Sequence, residues 1–407
     1  MSSKPKTLAT KVPKLRFPGF REAEGWKTEM LGRLCKIRTG KKDANEGAAD
    51  GAYPFFTCAE NHIYSHSYSF DAEAILIAGN ANVGQTKYYN GKFEAYQRTY
   101  VLTDFTGISV SYLYAILNAK LRESLLEQVQ VSAMSYIKLP MLQEYGLAVP
   151  PTPAEQQKIA ECLSSVDELM AAQARKVDAL KTHKKGLMQQ LFPREGETAP
   201  RLRFPEFRDA GEWKSDSLGN IFETSSGGTP SRTEKAYWNG DIPWITTSLV
   251  DFRVITSAEE FLTAEGLKNS SAKLFPKGTV LMAMYGQGKT RGQVALLGIK
   301  AATNQACAAI LPRKGIDPYF VFLNLAGRYE EIREISNSGG QENLSQGLIR
   351  EIRFAFPLDD DEQRKVTACL SSLDALIAAE IRKLEALKIH KKGLMQQLFP
   401  SLEEGTA

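Results

Sequence analysis

A segment of 40 residues occurs twice in this chain, so any fold must accommodate the same helical pattern at two places. Residues 154–193 and 361–400 are identical at 27 positions and close on the same eleven residues, HKKGLMQQLFP. A shorter repeat precedes each: LRFPGFREAEGWKTEMLG at 15–32 and LRFPEFRDAGEWKSDSLG at 202–219. The short pair is offset by 187 residues and the long pair by 207, so the second copy carries 20 extra residues between them. The order is unit, helix, unit, helix.

The 40-residue repeat has readable ends. Thr152 followed by Glu155 is a capping box, with Pro153 at the first helical position, and Asp359 with Glu362 gives the second copy its equivalent signal. Apolar residues then recur at spacings of three and four: Leu163, Val166, Met170, Val177, Leu180, Leu187 and Leu191, matched by Leu370, Leu373, Ile377, Leu384, Leu387, Leu394 and Leu398. This is a coiled-coil seam. Polar residues interrupt it in the same register, Gln173 and Lys184 in one copy, Glu380 and Lys391 in the other. A lone seam of this kind is as well explained by a helix docked on its own domain. Two matched seams can bury each other, and about 38 helical residues reach roughly 57 Å. The expectation is an antiparallel coiled coil acting as a spacer.

The chain then divides into a first globular domain at 1–151, a helix at 152–193, a second globular domain at 194–358, a helix at 359–400 and a tail at 401–407. Strand-like stretches at 74–78, 96–102, 279–284 and 306–311 mix with helical ones at 110–127 and 318–335. The class is α+β, with two mixed domains separated by paired long helices in a pseudo-two-fold arrangement.

Apolar runs such as VLMAM at 280–284 fall far short of the roughly 20 residues that span a bilayer, so no membrane partner is expected. The N-terminus lacks the apolar core of a secretory signal. Five cysteines, an odd number, suit a reducing compartment, and a cytoplasmic location is expected. A net charge of +4 permits nucleic-acid binding without requiring it.

Catalytic equipment is sparse. AMYGQGKT at 283–290 fits a P-loop only if its first Gly is relaxed to Ala, and the RGQVALLGI that follows does not open the helix such a loop needs. An ATP-using enzyme built around Lys289 is therefore the weaker reading. Cys58, His62 and His66 have zinc-like spacing but supply three ligands where structural zinc wants four, which leaves exposed histidines beside a strand as the simpler account. His183 and His390 belong to solvent-facing helix positions. No nucleophile elbow, Asn/Asp-Pro-Pro-aromatic segment or nuclease-type carboxylate cluster is present, and the acidic run 359–362 reads as a helix cap. No metal or cofactor is expected to bind this chain.

Loops flanking the central strands carry the residue types that match base edges in duplex DNA. The first domain offers Asn80, Asn82, Gln85, Lys87, Gln97 and Arg98. The second offers Tyr285, Gln287, Lys289, Thr290, Arg291, Gln293, Asn304 and Gln305. Read from composition alone, simple hydration explains such loops equally well.

Segments SGGTPSR, YWNGDIPWI, MYGQGKTRGQV, AATNQACAAILP and DEQRKVTACLSSLDALI, with PFFTCAENH, FDAEAILIAGNANVG, YYNGKFEAYQRTYVLT and PPTPAEQQKIAECLSSVDELM in the first half, resemble the specificity subunit of type I restriction-modification systems, in wording and in order, over nearly all of 15–400. The resemblance implies two target-recognition domains, each reading half of a split, asymmetric DNA sequence, with the helices setting the gap. It further implies docking of two modification subunits that use S-adenosylmethionine, and of motor-nuclease restriction subunits that use ATP and magnesium. A protein-protein scaffold without DNA binding is the remaining alternative.

Overall fold

The two copies of the repeat form helices Pro153–Leu191 and Asp360–Leu398, each 39 residues long, in the computed structural model, which describes residues 11–130, 136–194, 196–286, 289–337 and 343–400. The expected capping boxes form only in part. Thr152 Oγ1 accepts from the Glu155 amide at 3.3 Å, and Asp359 Oδ1 from the Asp361 amide at 2.7 Å. The glutamates, however, do not return to the caps. The Glu155 carboxylate takes two bonds from Arg16 (2.7 and 2.8 Å) and one from Trp26 Nε1 (3.1 Å). Glu362 takes two from Arg203 (both 2.7 Å) and one from Trp213 Nε1 (3.1 Å). Both carboxylates are buried, and a bidentate guanidinium satisfies a buried charge better than one backbone amide does. The two LRFP segments are thus clamps onto the starts of the long helices.

The chain forms two compact units, residues 1–174 with 382–407 and residues 175–381. Each long helix begins in one unit and ends in the other. In the first unit, Lys391 Nζ meets Asp167 Oδ1 at 2.6 Å, and Leu394, Met395, Leu398 and Phe399 pack with Ile159 and Leu163. In the second, Lys176 pairs with Glu380 (3.0 Å) and Lys184 with Asp374 (2.6 Å), so partners fall in number along one helix as they rise along the other. The pairing is antiparallel. Among seam residues, Leu163, Val166, Val177, Leu191, Leu370, Ile377 and Leu398 are buried, whereas Met170, Leu180, Leu187, Leu373, Leu384, Leu387 and Leu394 are half-buried. Three of the polar interruptions, Lys184, Glu380 and Lys391, make the cross-helix ion pairs.

In the first unit a six-stranded sheet runs in the order Lys36–Thr39, Thr99–Thr103, Phe70–Ala78, Thr86–Ala95, Tyr53–Phe56, Ile63–Ser65. Helix Val110–Gln130 covers it, burying Tyr112, Leu113, Leu117 and Leu121. The second unit has a five-stranded sheet, Thr224–Ser226, Cys307–Ile310, Val280–Ala283, Val294–Leu297, Val254–Ile255. A four-stranded sheet accompanies it: Glu260–Leu262, Trp238–Ile245, Ala301–Thr303, Leu274–Phe275. Two expectations need correction. The strand expected from residue 96 begins at Thr99, because the Thr99 amide bonds to Tyr96 O at 2.8 Å and closes a turn. The helix expected over 318–335 is two, Pro318–Gly327 and Tyr329–Asn337. Gly327 weakens the first helix at its end, and Arg328 is held outside by Glu331 and Arg353 O. Among the described residues no helix is long and apolar enough to cross a membrane.

Candidate nucleic-acid interface

The two heads, divergent in sequence, share one hydrogen-bonded frame. Phe70–Ala78 pairs with Thr99–Thr103 as Val280–Ala283 pairs with Cys307–Ile310, with Ile75↔Leu102 matching Val280↔Ile310. The Ala78 amide bonds to Gln85 O, the Gly84 amide to Ala78 O and the Gly79 amide to Arg98 O; Ala283 to Gln293 O, Gly292 to Ala283 O and Met284 to Ala306 O repeat the scheme. Gly84 (φ 75°) and Gly292 (φ 82°) occupy the same left-handed position that closes each loop. Gly40 and Gly227 are a second matched pair. A Cβ at Gly40 would lie 1.8 Å from Ala95 O, and one at Gly227 2.1 Å from Thr303 O, so the backbone crosses there at glycine-only distance. By this frame Gln97 and Gln305 are equivalent, each at the tip of a turn, and both are exposed.

Around these tips the first head has a hollow of about 560 Å³ lined by Thr39, Gln97, Arg98, Tyr100, Tyr136 and Lys138. Gln97 Nε2 bonds to Asp43 Oδ2 at 3.0 Å, and Arg98 is exposed. Asn82 and Lys87 are spent on bracing: Asn82 Nδ2 donates to Cys58 O (3.0 Å) and Lys87 Nζ to Ala59 O (2.6 Å), fixing the neighbouring loop. Burial lowers the Lys87 ammonium below its ordinary range. Asn80 and Gln85 are half-buried, with Asn80 Oδ1 and Gln85 Oε1 buried and without a partner. Tyr136 and Lys138, missed in the sequence, reach the hollow because the Ile137 amide bonds to Gly79 O (2.8 Å) and Tyr100 Oη to Ile137 O (2.8 Å). No local pattern signals that contact.

In the second head Gln305 Oε1 accepts from Thr229 Oγ1, tying the tip to the SGGTPSR loop. That loop is rigid. Arg232 lies over Trp238 (3.9 Å) and Trp244 (4.8 Å), pairs with Glu260, and the indoles donate to Ser231 O and Gly228 O. Arg232 and Thr229 were not among the expected readers, although the Gly-, Ser- and Arg-bearing loop was visible. Tyr285 and Lys289 are exposed, Thr290 is half-buried, Gln293 bonds to Asp251 (3.3 Å) and Asn304 Oδ1 accepts from the Ala306 amide (3.2 Å). Arg291, expected at the surface, is instead buried, because the turn closing at Gly292 folds it inward. Gln287 lies outside the described residues.

Lys289 and Thr290 sit in a turn that leads to strand Val294–Leu297, and no helix opens for a phosphate. Cys58 is buried with its thiol on Arg98 O (3.4 Å), His62 packs beside Phe56 and His66 lies 3.3 Å from Asp50, so the three are not gathered into a ligand set. Among the described residues no group of three or more metal-ligating side chains occurs.

A family model described as the type I restriction modification DNA specificity domain matches residues 23–182 and again 210–388. The type I restriction enzyme EcoDI specificity subunit of Escherichia coli is 43% identical over 141 residues, 35% of this chain and 31% of that protein. The MjaIX specificity subunit of Methanocaldococcus jannaschii is 30% identical over 197 residues, 47% of this chain and 45% of its own. These two matches thus span less than half of either relative. The MjaVIII specificity subunit of the same archaeon is 22% identical over 404 residues, covering 94% of this chain and 93% of its own. The solved S subunit of the type I restriction-modification system from M. genitalium superposes with a TM-score of 0.56 at 18% identity, covering 96% of this chain and 99% of that one.

Proposed function

The chain belongs to the type I restriction-modification DNA specificity family, and from that premise we propose that its two heads read the two halves of one split DNA target. The observation that carries this reading is the pair Gln97 and Gln305: one backbone frame presents an amide side chain at equivalent tips, with Arg98, Tyr136 and Lys138 near the first and Thr229 and Arg232 near the second. Equivalent positions with unlike neighbours give an asymmetric target. Amide and guanidinium groups match base edges in the major groove, and nearby lysines hold phosphates.

In this reading the chain carries out no chemistry itself. Two modification subunits, drawing on S-adenosylmethionine, methylate adenine, and restriction subunits drawing on ATP and magnesium translocate and cut. The long helices hold the heads at a fixed spacing and give those subunits a frame, in a cytoplasmic setting. The ATP-enzyme reading has no helix terminus behind Lys289 to stand on.

The test is methylome sequencing of a host carrying this chain together with its modification partner. A split, asymmetric adenine-methylation motif present only when both are expressed is the expected outcome. Removing one heptad from both helices, 171–177 and 378–384, keeps the seam register and shortens each by about 10 Å. The methylated gap should then shrink by about three base pairs with both half-sequences unchanged. Methylation that ignores this chain, or half-sequences that change with the heptad deletion, refutes the reading. A scaffold that binds only protein would lack the steep loss of DNA affinity between about 50 and 200 mM salt that phosphate contacts impose.

A further inference from the structure

The two units repeat one another closely where head meets helix, and one of the differences between them opens a space. The Ser109 amide donates to Gln156 Oε1 (2.7 Å) as the Asp317 amide donates to Gln363 Oε1 (2.8 Å), which aligns the head helices residue by residue. The next turn agrees: Tyr112 packs edge-on against Trp26 and Phe399, and Phe320 packs against Trp213 and Phe192. Position 111 therefore corresponds to 319. In the second unit Tyr319 lies half-buried along the groove between head and helices, its hydroxyl on Asp374 Oδ2 (3.4 Å), where Lys184 also binds that carboxylate. Burial, with Asp374 beside it, pushes that hydroxyl up to about 12. In the first unit the counterpart is Ser111, and the groove is an open cleft of about 630 Å³. Its walls are Val110, Tyr114, Ala115, Leu163 and Met395, and its polar end is the Asp167–Lys391 pair, the counterpart of Asp374–Lys184. The Asp167 side chain is 51% exposed against 38% for Asp374. Tyr114, a wall of the cleft, stands near enough that Asp167 adds to burial in raising its hydroxyl, and the cleft beside them stays open.

We propose that the cleft of the first unit receives a tyrosine side chain from a partner protein, as the matching groove of the second unit receives Tyr319. The filled groove demonstrates the complementarity: a tyrosine ring packed beside Phe322, with a hydroxyl donated to an aspartate that a lysine already holds in place. The rim decides between macromolecules. Glu73, accepting from Tyr88 Oη at 2.9 Å, and Asp167 both border the cleft, against the single cation Lys391. A phosphate backbone would meet net negative charge there, whereas a tyrosine flanked by lysine or arginine would meet its complement.

The full chain is titrated with acetyl-Lys-Tyr-Lys-amide, following the Met395 methyl resonance and saturation transfer to the peptide ring. Binding at millimolar peptide is expected, about tenfold weaker for the Phe peptide, which lacks the hydroxyl bonded to a charged group. The Glu-Tyr-Glu peptide should also bind more weakly. Ser111→Tyr should abolish the signal while leaving the melting temperature unchanged or higher, and Tyr319→Ser should open a second site with the same preference. No signal from the unsubstituted chain, equal binding of the Phe peptide, equal binding to Ser111→Tyr, or displacement by deoxyadenosine monophosphate overturns the proposal. The outcome is independent of the DNA-reading proposal, which rests on the loop tips.

Discussion

Arg16 and Glu155, 139 positions apart, meet through two parallel hydrogen bonds of 2.7 and 2.8 Å with side-chain exposures of 6% and 1%. A buried pair of this kind is costly to break from one side, because the survivor keeps its desolvation penalty without its partner. Glu155→Ala is expected to destabilise the first unit by about 3 to 5 kcal/mol. Glu362→Ala should do the same to the second unit. Chemical denaturation of each variant, followed by Trp26 or Trp213 fluorescence, measures it, and a loss below about 1 kcal/mol would assign the pair the value of a surface salt bridge. Hydrogen bonding to Glu155 raises the Arg16 guanidinium above its ordinary, already strongly basic, range. The folded value being the higher, this stabilisation is present in full below the ordinary arginine range and fades only as pH climbs through and beyond it, so a transition in mildly alkaline buffer should not trace to Arg16.

Gly40 and Gly227 are expected to tolerate no side chain. Gly40→Ala should cost on the order of 3 kcal/mol, since Ala95 O is backbone and cannot swing aside. Gly186→Ala, on the first long helix with nothing within 4 Å of a new Cβ, should instead stabilise by about 0.5 to 1 kcal/mol. Thermal melts of the two variants read the contrast directly.

Burial pushes the Cys35 and Cys307 thiols up to about 12. The folded value lies above the ordinary 9.0, so the stabilisation belongs to the neutral thiol. It is complete below pH 9 and erodes as pH rises toward 12. Iodoacetamide at pH 8 should therefore modify Cys162 and Cys369, both partly exposed, well before Cys35 and Cys307. Peptide mapping of the alkylated protein gives the order.

Substitutions at the loop tips should separate the half-sites. Arg98→Ala or Gln97→Ala is expected to relax or weaken one half of the methylated sequence by about 1 to 3 kcal/mol for a base contact, and Gln305→Ala the other half alone. Loss spread evenly over both halves would point to phosphate contacts or to the frame.

The long helices were legible because a repeated period of three and four survives any tertiary context. Their caps were half legible: Thr152 and Asp359 act locally, whereas the destination of Glu155 depends on Arg16, which no spacing rule links to it. The loop residues were the least readable. Lys87 and Asn82 have the chemistry of base readers and are used to hold residues 58 and 59, and Arg291 turns inward, because the fold decides which polar side chains of a loop remain for a ligand. Tyr136 and Lys138 came to the tip through one backbone bond to Gly79, and the kinship of the two heads lay in hydrogen bonds rather than in shared letters.

Phe399, 1% exposed, lies against Tyr112 and, with Leu394, Met395 and Leu398, joins a core otherwise built from residues 17–163. Residues 394–399 have to leave the ribosome before the head formed by residues 17–163 can close. Until then that head offers an unfilled apolar socket to whatever is nearby, and a chain that stops before residue 394 should be damaged most in that distant upstream head.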